Sequence, residues 1–185
     1  MARIPYVDRE QAPPEVRDAL EVAPDLNIFR MIANAHTAFR PFLRLGAAIL
    51  AEGELDAKLR ELAIIHVAQL SHAEYEWVQH AAIAKAVGAT DEQVSAIERG
   101  DVESDCFDDT EQLVLAFTTE VVRDVGASEA TLAAAAERFS PREIVELLLA
   151  IGFYMMVARV METTALDLDE PVRMAVIESI GDEPS

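Results

Sequence analysis

Apolar residues recur along the chain at every third or fourth position, and no segment of useful length alternates with the two-residue period of a β-strand. This periodicity, together with residues typical of helix starts and ends, predicts helices from one end of the sequence to the other. The predicted helices are a short one after Pro14, then 28–50 with an interruption near Pro41, 56–70, 73–87, 90–100, 108–124, 128–139 and 142–164. We therefore predict an all-α fold.

The helix predicted over 56–70 is apolar on nearly all sides after Glu61, which is typical of a helix buried in a core. Ser71 and His72 form the turn predicted after it, and the next helix stops at Gly88. These two helices should therefore pack as an antiparallel hairpin at the centre of the domain.

Several later helices begin with a Ser, Thr or Asp followed three residues later by Gln or Glu, the arrangement called a capping box. The pairs are Thr90 with Gln93, Asp108 with Glu111, and Ser140 with Glu143. Ser128 is a further predicted N-cap, and Gly126 is predicted to end the helix before it.

The 185 residues are 51% hydrophobic, enough for the core of one soluble domain. We predict a single domain over 1–185, with a core from about 14 to 168 and a flexible tail over 180–185.

A net charge of −19 would repel phosphates and anionic lipids, so we expect neither a nucleic acid nor a membrane partner. No secretory signal pattern occurs, and the apolar run Leu147–Ala158 is too short to span a bilayer. We expect a cytoplasmic protein in which this run is part of a buried helix.

Much of the negative charge lies over 91–111, which we interpret as a solvated acidic surface because it lacks EF-hand spacing. The one cysteine, Cys106, is surrounded by aspartates that disfavour its thiolate, so we expect it to be unreactive. The sequence has no zinc or iron motif, no glycine-rich phosphate loop and no nucleophile-elbow serine. We therefore expect neither a metal nor a cofactor.

The groups best suited to chemistry are a carboxylate in an apolar run and a Glu/His pair on the following helix. Glu61 shares a helical face with Ile64 and should be largely buried, unless it lies in the first turn and still touches water. Glu76 and His80 are neighbours on one helical face, where the carboxylate can orient the imidazole for proton transfer. The alternative is that they form the polar stripe of an ordinary amphipathic helix.

Aromatic residues nearby could line an apolar pocket, although helical aromatics are also common core residues. The predicted substrate-binding residues are Tyr75, Trp77 and Tyr154. We assign structural roles to His66, which points away from Glu61 on its helix, and to His72, which lies in a turn. Arg60 or Arg159 could supply the positive charge that an anionic substrate would need.

Three parts of the chain are similar to one known family. They are LDAKLRELAIIHVAQL followed by EYEWVQHAAIAKAVG, then TDEQVSAIERG, and FSPREIVELLLAIGFYMMVARVMETTAL. Together they resemble the carboxymuconolactone decarboxylase family, whose other branch is the AhpD-like alkylhydroperoxidases. That redox branch has a Glu, a Cys-x-x-Cys pair and then a His. Glu61 and His80 match its Glu and His, but Ala73 and Glu76 occupy the cysteine positions.

The resemblance implies a compact AhpD-like helical domain that assembles as a homo-oligomer, a trimer or hexamer. It implies a lyase that decarboxylates or isomerises a small carboxylated lactone or related acid without a cofactor. In this hypothesis His80, oriented by Glu76 and coupled to Glu61, moves the proton. Two alternatives stay open: a peroxidase-like activity without the usual cysteines, and a noncatalytic helical assembly or binding module.

Overall fold

The computed structural model describes residues 1–170, most of which are helical. The helices are α1 (Pro14–Val22), α2 (Asn27–Ile32), α3 (His36–Ala51), α4 (Ala57–Ser71), α5 (Glu74–Ala86), α6 (Asp91–Glu98), α7 (Asp109–Asp124), α8 (Glu129–Ala136) and α9 (Pro141–Thr164). No β-strand occurs within residues 1–170, which agrees with the predicted all-α fold. The flexible tail predicted over 180–185 lies outside the described residues.

α4 is the central helix, because it contacts α5, α6, α7 and α9. Every residue from 60 to 68 is buried. One core cluster joins Ile64 and Val67 to residues of α7 and α9, and a second joins Leu62 and Ile65 to residues of α5 and α6. Burying each such side chain contributes about 1.5–3 kcal/mol. Packing on all sides explains why α4 has no polar face, and the predicted α4–α5 hairpin is confirmed.

The helix predicted over 28–50 is two helices, α2 and α3, and the break lies at 33–35 rather than near Pro41. Ala33, in this break, and Phe39, near the start of α3, are fully buried against apolar residues of α1. Pro41 lies inside α3, where its missing N–H removes a single helical hydrogen bond. The break between α2 and α3 therefore coincides with packing against α1 and not with the position of the proline.

The three predicted capping boxes are all present. The ends of α7 and α8 differ from the prediction. Val125, at φ 71°, is the left-handed residue after α7 in place of Gly126, and its side chain is exposed. α8 ends at Ala136, because the chain turns over 137–139 to bury Phe139 against the core.

α9 is long and apolar enough, by length and composition alone, to cross a membrane. It extends beyond the run Leu147–Ala158 at both ends, so the length argument made from that run was wrong. Within the fold, 44% of its most apolar stretch is buried. Its other side exposes Val145, Leu148, Leu149 and Met156.

The segment after α9 lies against the start of α2 and α5. Asp169 accepts hydrogen bonds from the Tyr75 hydroxyl at 2.5 Å and from the backbone and side-chain nitrogens of Asn27 at 2.7 and 2.8 Å. Asp167 accepts from the Tyr6 hydroxyl at 3.0 Å. The first and last parts of the described chain therefore meet beside the start of α5.

Candidate active site

Glu61 and His80 form a direct, buried pair between α4 and α5. Oε2 of Glu61 lies 2.8 Å from Nδ1 of His80, and Oε1 accepts from Nε of Arg60 at 3.2 Å. Glu61 is 0% exposed and His80 is 8% exposed. An ionised carboxylate can only accept, so in this contact Nδ1 is the donor and Nε2 is the ring nitrogen left for other partners.

Local folding explains why these two residues meet. His72, in the left-handed conformation at φ 54°, ends α4 and reverses the chain. Ala73 is buried at the turn, and α5 then runs back along α4. The reversal places His80 of α5 opposite Glu61 of α4. The sequence prediction that Glu61 is buried in the apolar stripe of its helix is confirmed.

Tyr154 of α9 is the aromatic neighbour of this pair. Its ring meets the imidazole of His80 edge-on, with centroids 4.5 Å apart and planes at 78°. Burial raises the pKa of the Tyr154 hydroxyl well above its usual value, and the charges of Glu61 and Glu76 raise it further while Arg60 opposes them. The hydroxyl therefore remains protonated and can donate a hydrogen bond.

Glu76 lies one helical turn before His80, yet it does not orient the imidazole. It is 2% exposed, and neither of its carboxyl oxygens has a hydrogen-bond partner within the described part of the chain. The predicted Glu76–His80 pair is therefore wrong in its geometry. Glu61 is instead the hydrogen-bond partner of Nδ1, because the α4–α5 packing brings its carboxylate to 2.8 Å from that nitrogen.

Two opposing effects act on the Glu76 carboxyl. As the third residue of α5 it lies in the first turn, where the helix dipole favours an ionised carboxylate by about 0.3–1 kcal/mol. Moving an ionised carboxylate into a protein interior costs several kcal/mol, which is more than the helix dipole contributes. Burial wins, and with the charge of Glu162 it raises the pKa of Glu76 well above its usual value. The protonated form of the Glu76 carboxyl is thus favoured, and the group has no hydrogen-bond partner within the described residues.

The other two predicted substrate-binding residues are held by different contacts. The Tyr75 hydroxyl donates to Asp169, and the burial of the Tyr75 ring with this bond raises the pKa of its hydroxyl. Trp77 is half-buried and packs against the second core cluster. Of the three predicted residues, Tyr154 is the one whose ring contacts His80.

The remaining histidines have the structural surroundings expected of them. Nε2 of His66 lies 2.7 Å from the Thr119 hydroxyl, and burial lowers the pKa of the His66 imidazole to about 4. His72 is exposed in its turn. Arg159 is also exposed, and its guanidinium donates to the carbonyl of Met155. Of the two arginines considered for an anionic substrate, Arg60 is the one whose side chain contacts Glu61.

One acidic residue was placed wrongly by the sequence. Glu111 belongs to the stretch interpreted as a solvated acidic surface, but it is buried. It pairs with Nζ of Lys58 at 2.5 Å and accepts from Nε2 of Gln93 at 2.8 Å. A single sequence offers no clue to this pairing beyond the capping box that Glu111 makes with Asp108. Within residues 1–170, no group of three or more His, Cys, Asp or Glu side chains could hold a metal ion.

The fold is that of the AhpD-like all-helical proteins, as solved structures of similar shape indicate. An AhpD-core, uncharacterised peroxidase-related protein from Ralstonia eutropha JMP134 matches with a TM-score of 0.79 at 20% identity, covering 100% of this chain and 98% of its own. An uncharacterised peroxidase-related protein from Silicibacter sp. TM1040 matches with a TM-score of 0.77 at 18% identity, and the match covers 91% of this chain and 92% of that protein. The debrominase Bmp8 matches with a TM-score of 0.74 at 15% identity, and the match covers 95% of this chain and 96% of Bmp8.

Residues 37–120 match the carboxymuconolactone decarboxylase family, so the chain resembles that family over this segment. The matched segment contains Glu61, Glu76 and His80, whereas Tyr154 lies outside it. No curated protein matches the sequence. The family resemblance drawn from the sequence is confirmed over this segment.

Proposed function

We propose that this protein is an enzyme of cofactor-independent acid/base chemistry, a lyase or isomerase that acts on a small carboxylated lactone or related acid. The observation that best supports the proposal is the 2.8 Å hydrogen bond between Nδ1 of His80 and Oε2 of Glu61. Since the proton on Nδ1 is held by Glu61, the opposite nitrogen, Nε2, is the one available to a ligand.

The pair suits Nε2 to proton transfer. In its neutral form His80 can take a proton from a substrate carbon, and the resulting imidazolium is stabilised by the adjacent carboxylate of Glu61. Arg60 holds the second oxygen of Glu61 and so fixes the orientation of the carboxylate. We assign His80 as the proton-transfer residue and Glu61 as its positioning residue.

The absence of a cysteine pair favours proton transfer over thiol chemistry. Ala73 and Glu76 stand at the positions that the redox branch fills with cysteines, and the lone Cys106 packs at the edge of the second core cluster. A peroxidase activity through thiols would need a thiolate beside His80. A substrate whose decarboxylation or isomerisation passes through an enolate needs an acid, a base and charge stabilisation instead.

The exposed side of α9 supports a homo-oligomer as the working form. Four apolar side chains on this helix, Val145, Leu148, Leu149 and Met156, are between 39 and 53% exposed. Contiguous apolar surface of this kind marks association sites in soluble proteins. We propose that a second copy of the chain covers it, in the trimer or hexamer that the family resemblance implies.

Turnover of candidate substrates by matched variants tests the proposed function. Purified protein is incubated with small lactone acids and with organic hydroperoxides, and products are detected by mass spectrometry. His80→Asn keeps a side-chain N–H that can bond Glu61 but removes Nε2, so we expect it to abolish turnover with the fold intact. His72→Asn, at an exposed left-handed position that asparagine tolerates, is the control and should remain active.

The same experiment separates the alternatives. Consumption of hydroperoxide without conversion of lactone acids would favour the peroxidase-like activity. Lack of turnover of both classes would remove the acid/base proposal and favour the assembly module. Equal turnover by the wild type and His80→Asn would overturn the assignment of His80 as the proton-transfer residue.

A further inference from the structure

Glu76 is a buried acid whose role the His80–Glu61 pair leaves unassigned. Both of its oxygens are enclosed by protein and lack a hydrogen-bond partner among residues 1–170. Buried polar groups in folded proteins almost always have a partner, so this orphaned carboxyl indicates a position where a bound group can complete its hydrogen bonds. The carboxyl thus marks a binding position.

The groups around Glu76 place this position beside the proton-transfer pair. Glu76 and His80 are four residues apart and share one face of α5. Ionisation of either Glu76 or Glu61 would raise the pKa of the Tyr154 hydroxyl, so both carboxyl groups lie near Tyr154, whose ring contacts His80. From α9, Glu162 adds a like charge that opposes ionisation of Glu76. A ligand that bonds to the Glu76 carboxyl is therefore next to the atoms that could react.

We propose that Glu76, held as a carboxylic acid, donates a hydrogen bond and then its proton to the carbonyl oxygen of the substrate, so that the site takes compounds reacting at the carbon next to a carbonyl. This proposal rests on the proposed function. It gives Glu76 the role of acid partner to His80 in place of the orienting role expected from spacing. A neutral acid in an apolar site is a strong donor to an oxygen on which negative charge develops.

The proton balance of an isomerisation follows from these two groups. Nε2 of His80 takes the hydrogen of the carbon next to the carbonyl, and the C–H electron pair becomes a C=C bond. The carbonyl π electrons move to oxygen, which takes the proton of Glu76 and gives an enol. In a substrate with a C=C bond between its β and γ carbons, the enol O–H returns its proton to Glu76 and its electron pair re-forms the carbonyl. The double bond then shifts to the α and β carbons, and the γ carbon takes the His80 proton, which restores both residues.

Decarboxylation uses the same acid. The electron pair of the breaking C–CO2 bond enters the enolate system, CO2 leaves, and the oxygen is neutralised by Glu76. The reacting carbon then gains one proton that comes from solvent through His80, and the enol proton returns to Glu76. The net change is the loss of CO2 and the uptake of one proton, with neither residue altered.

The protonation state of Glu76 is tested by infrared difference spectroscopy at neutral pH. We expect the carbonyl stretch of a protonated carboxyl in the wild type to disappear in Glu76→Gln and to persist in Glu74→Gln, an exposed control on the same helix turn. A wild-type spectrum without that band would overturn the proposal, whatever the enzyme's activity.

The catalytic role is tested with α-angelica lactone in D2O, by following exchange of the hydrogens next to its carbonyl with proton NMR. Glutamine can donate a hydrogen bond but cannot give up a proton, so Glu76→Gln should slow the exchange by about 10²-fold or more, while Glu74→Gln matches the wild type. Exchange by Glu76→Gln at the wild-type rate, with His80→Asn inactive, would overturn the role of Glu76 alone. A wild type that does not exchange, or a His80→Asn variant as fast as the wild type, would overturn the proposed function and this proposal together.

Discussion

The ring of Tyr154 stands edge-on against the imidazole of His80, 4.5 Å between centroids, and joins α9 to the α4–α5 hairpin. The contact has two separable parts, a ring that packs and a hydroxyl that can donate. Tyr154→Phe keeps the ring, so we expect thermal stability close to wild type and turnover lowered about tenfold or more by loss of the donor. Tyr154→Ala also removes the ring and should cost about 3–5 kcal/mol of unfolding free energy. Unchanged turnover in Tyr154→Phe would remove the hydroxyl from the site.

Removal of Glu61 should destabilise the protein strongly, because Arg60 would be left buried without its partner. We expect Glu61→Ala to lower the free energy of unfolding by about 3–5 kcal/mol, measured by urea denaturation. Replacing both partners, Arg60→Met with Glu61→Leu, should restore most of that loss while leaving the enzyme inactive. The exposed Arg142–Glu54 pair is the control, and Glu54→Ala should change stability little. A small effect of Glu61→Ala would contradict the buried pairing.

Stability should fall in acid because of His66. Its folded pKa of about 4 lies below the unfolded value of 6.5, so the unfolded chain binds more protons between these values. At about 1.4 kcal/mol per pKa unit, roughly 3 kcal/mol of stability should be lost as the pH falls from 6.5 to 4. Urea denaturation across this range should show a shallower pH slope for His66→Gln than for the wild type. Parallel slopes would rule out this contribution of His66.

Glu76 should act on stability in the opposite pH direction. Its folded pKa is raised, so the unfolded chain ionises first, and stability is lost as the pH rises above the usual glutamate range. Glu76→Gln has no charge to bury, so we expect it to be more stable than the wild type at neutral pH and similar to it in acid. The test is the difference in melting temperature between the two proteins across pH. A difference that does not change with pH would contradict the raised pKa.

The exposed side of α9 should control self-association. Leu149→Glu puts a charge in the proposed contact between copies, where burying it is costly, so we expect a smaller assembly in light scattering. Leu132→Glu alters an exposed leucine of α8 that is not one of the four α9 side chains, and it should leave the assembly unchanged. A monomeric wild type, or two variants that behave alike, would refute the proposed oligomer surface.

The helical pattern allowed most of the fold to be predicted, because helix starts depend on residues close in sequence. Thr90, Asp108 and Ser140 each form the capping box expected of them. The break at 33–35 was missed because it accompanies the burial of Ala33 and Phe39 beneath α1, a contact between distant parts of the chain.

The candidate site was predicted in its members but not in its connections. Glu61 and His80 were identified, yet spacing along α5 favoured Glu76 as the partner of the imidazole. The actual bond joins residues on two helices, and its existence depends on how α5 packs back along α4. Helical spacing reports neighbours on one helix and cannot report which carboxylate an adjacent helix presents.

The position of Glu61 on the most enclosed helix of the fold affects how readily this site can change during evolution. Substitutions near Glu61 on α4 alter a segment in which every residue from 60 to 68 is buried, so most would lower stability before they altered specificity. α5 and α9 each present partly exposed residues next to buried ones. Laboratory selection for a new substrate should therefore accumulate accepted changes on α5 and α9 while α4 stays nearly constant.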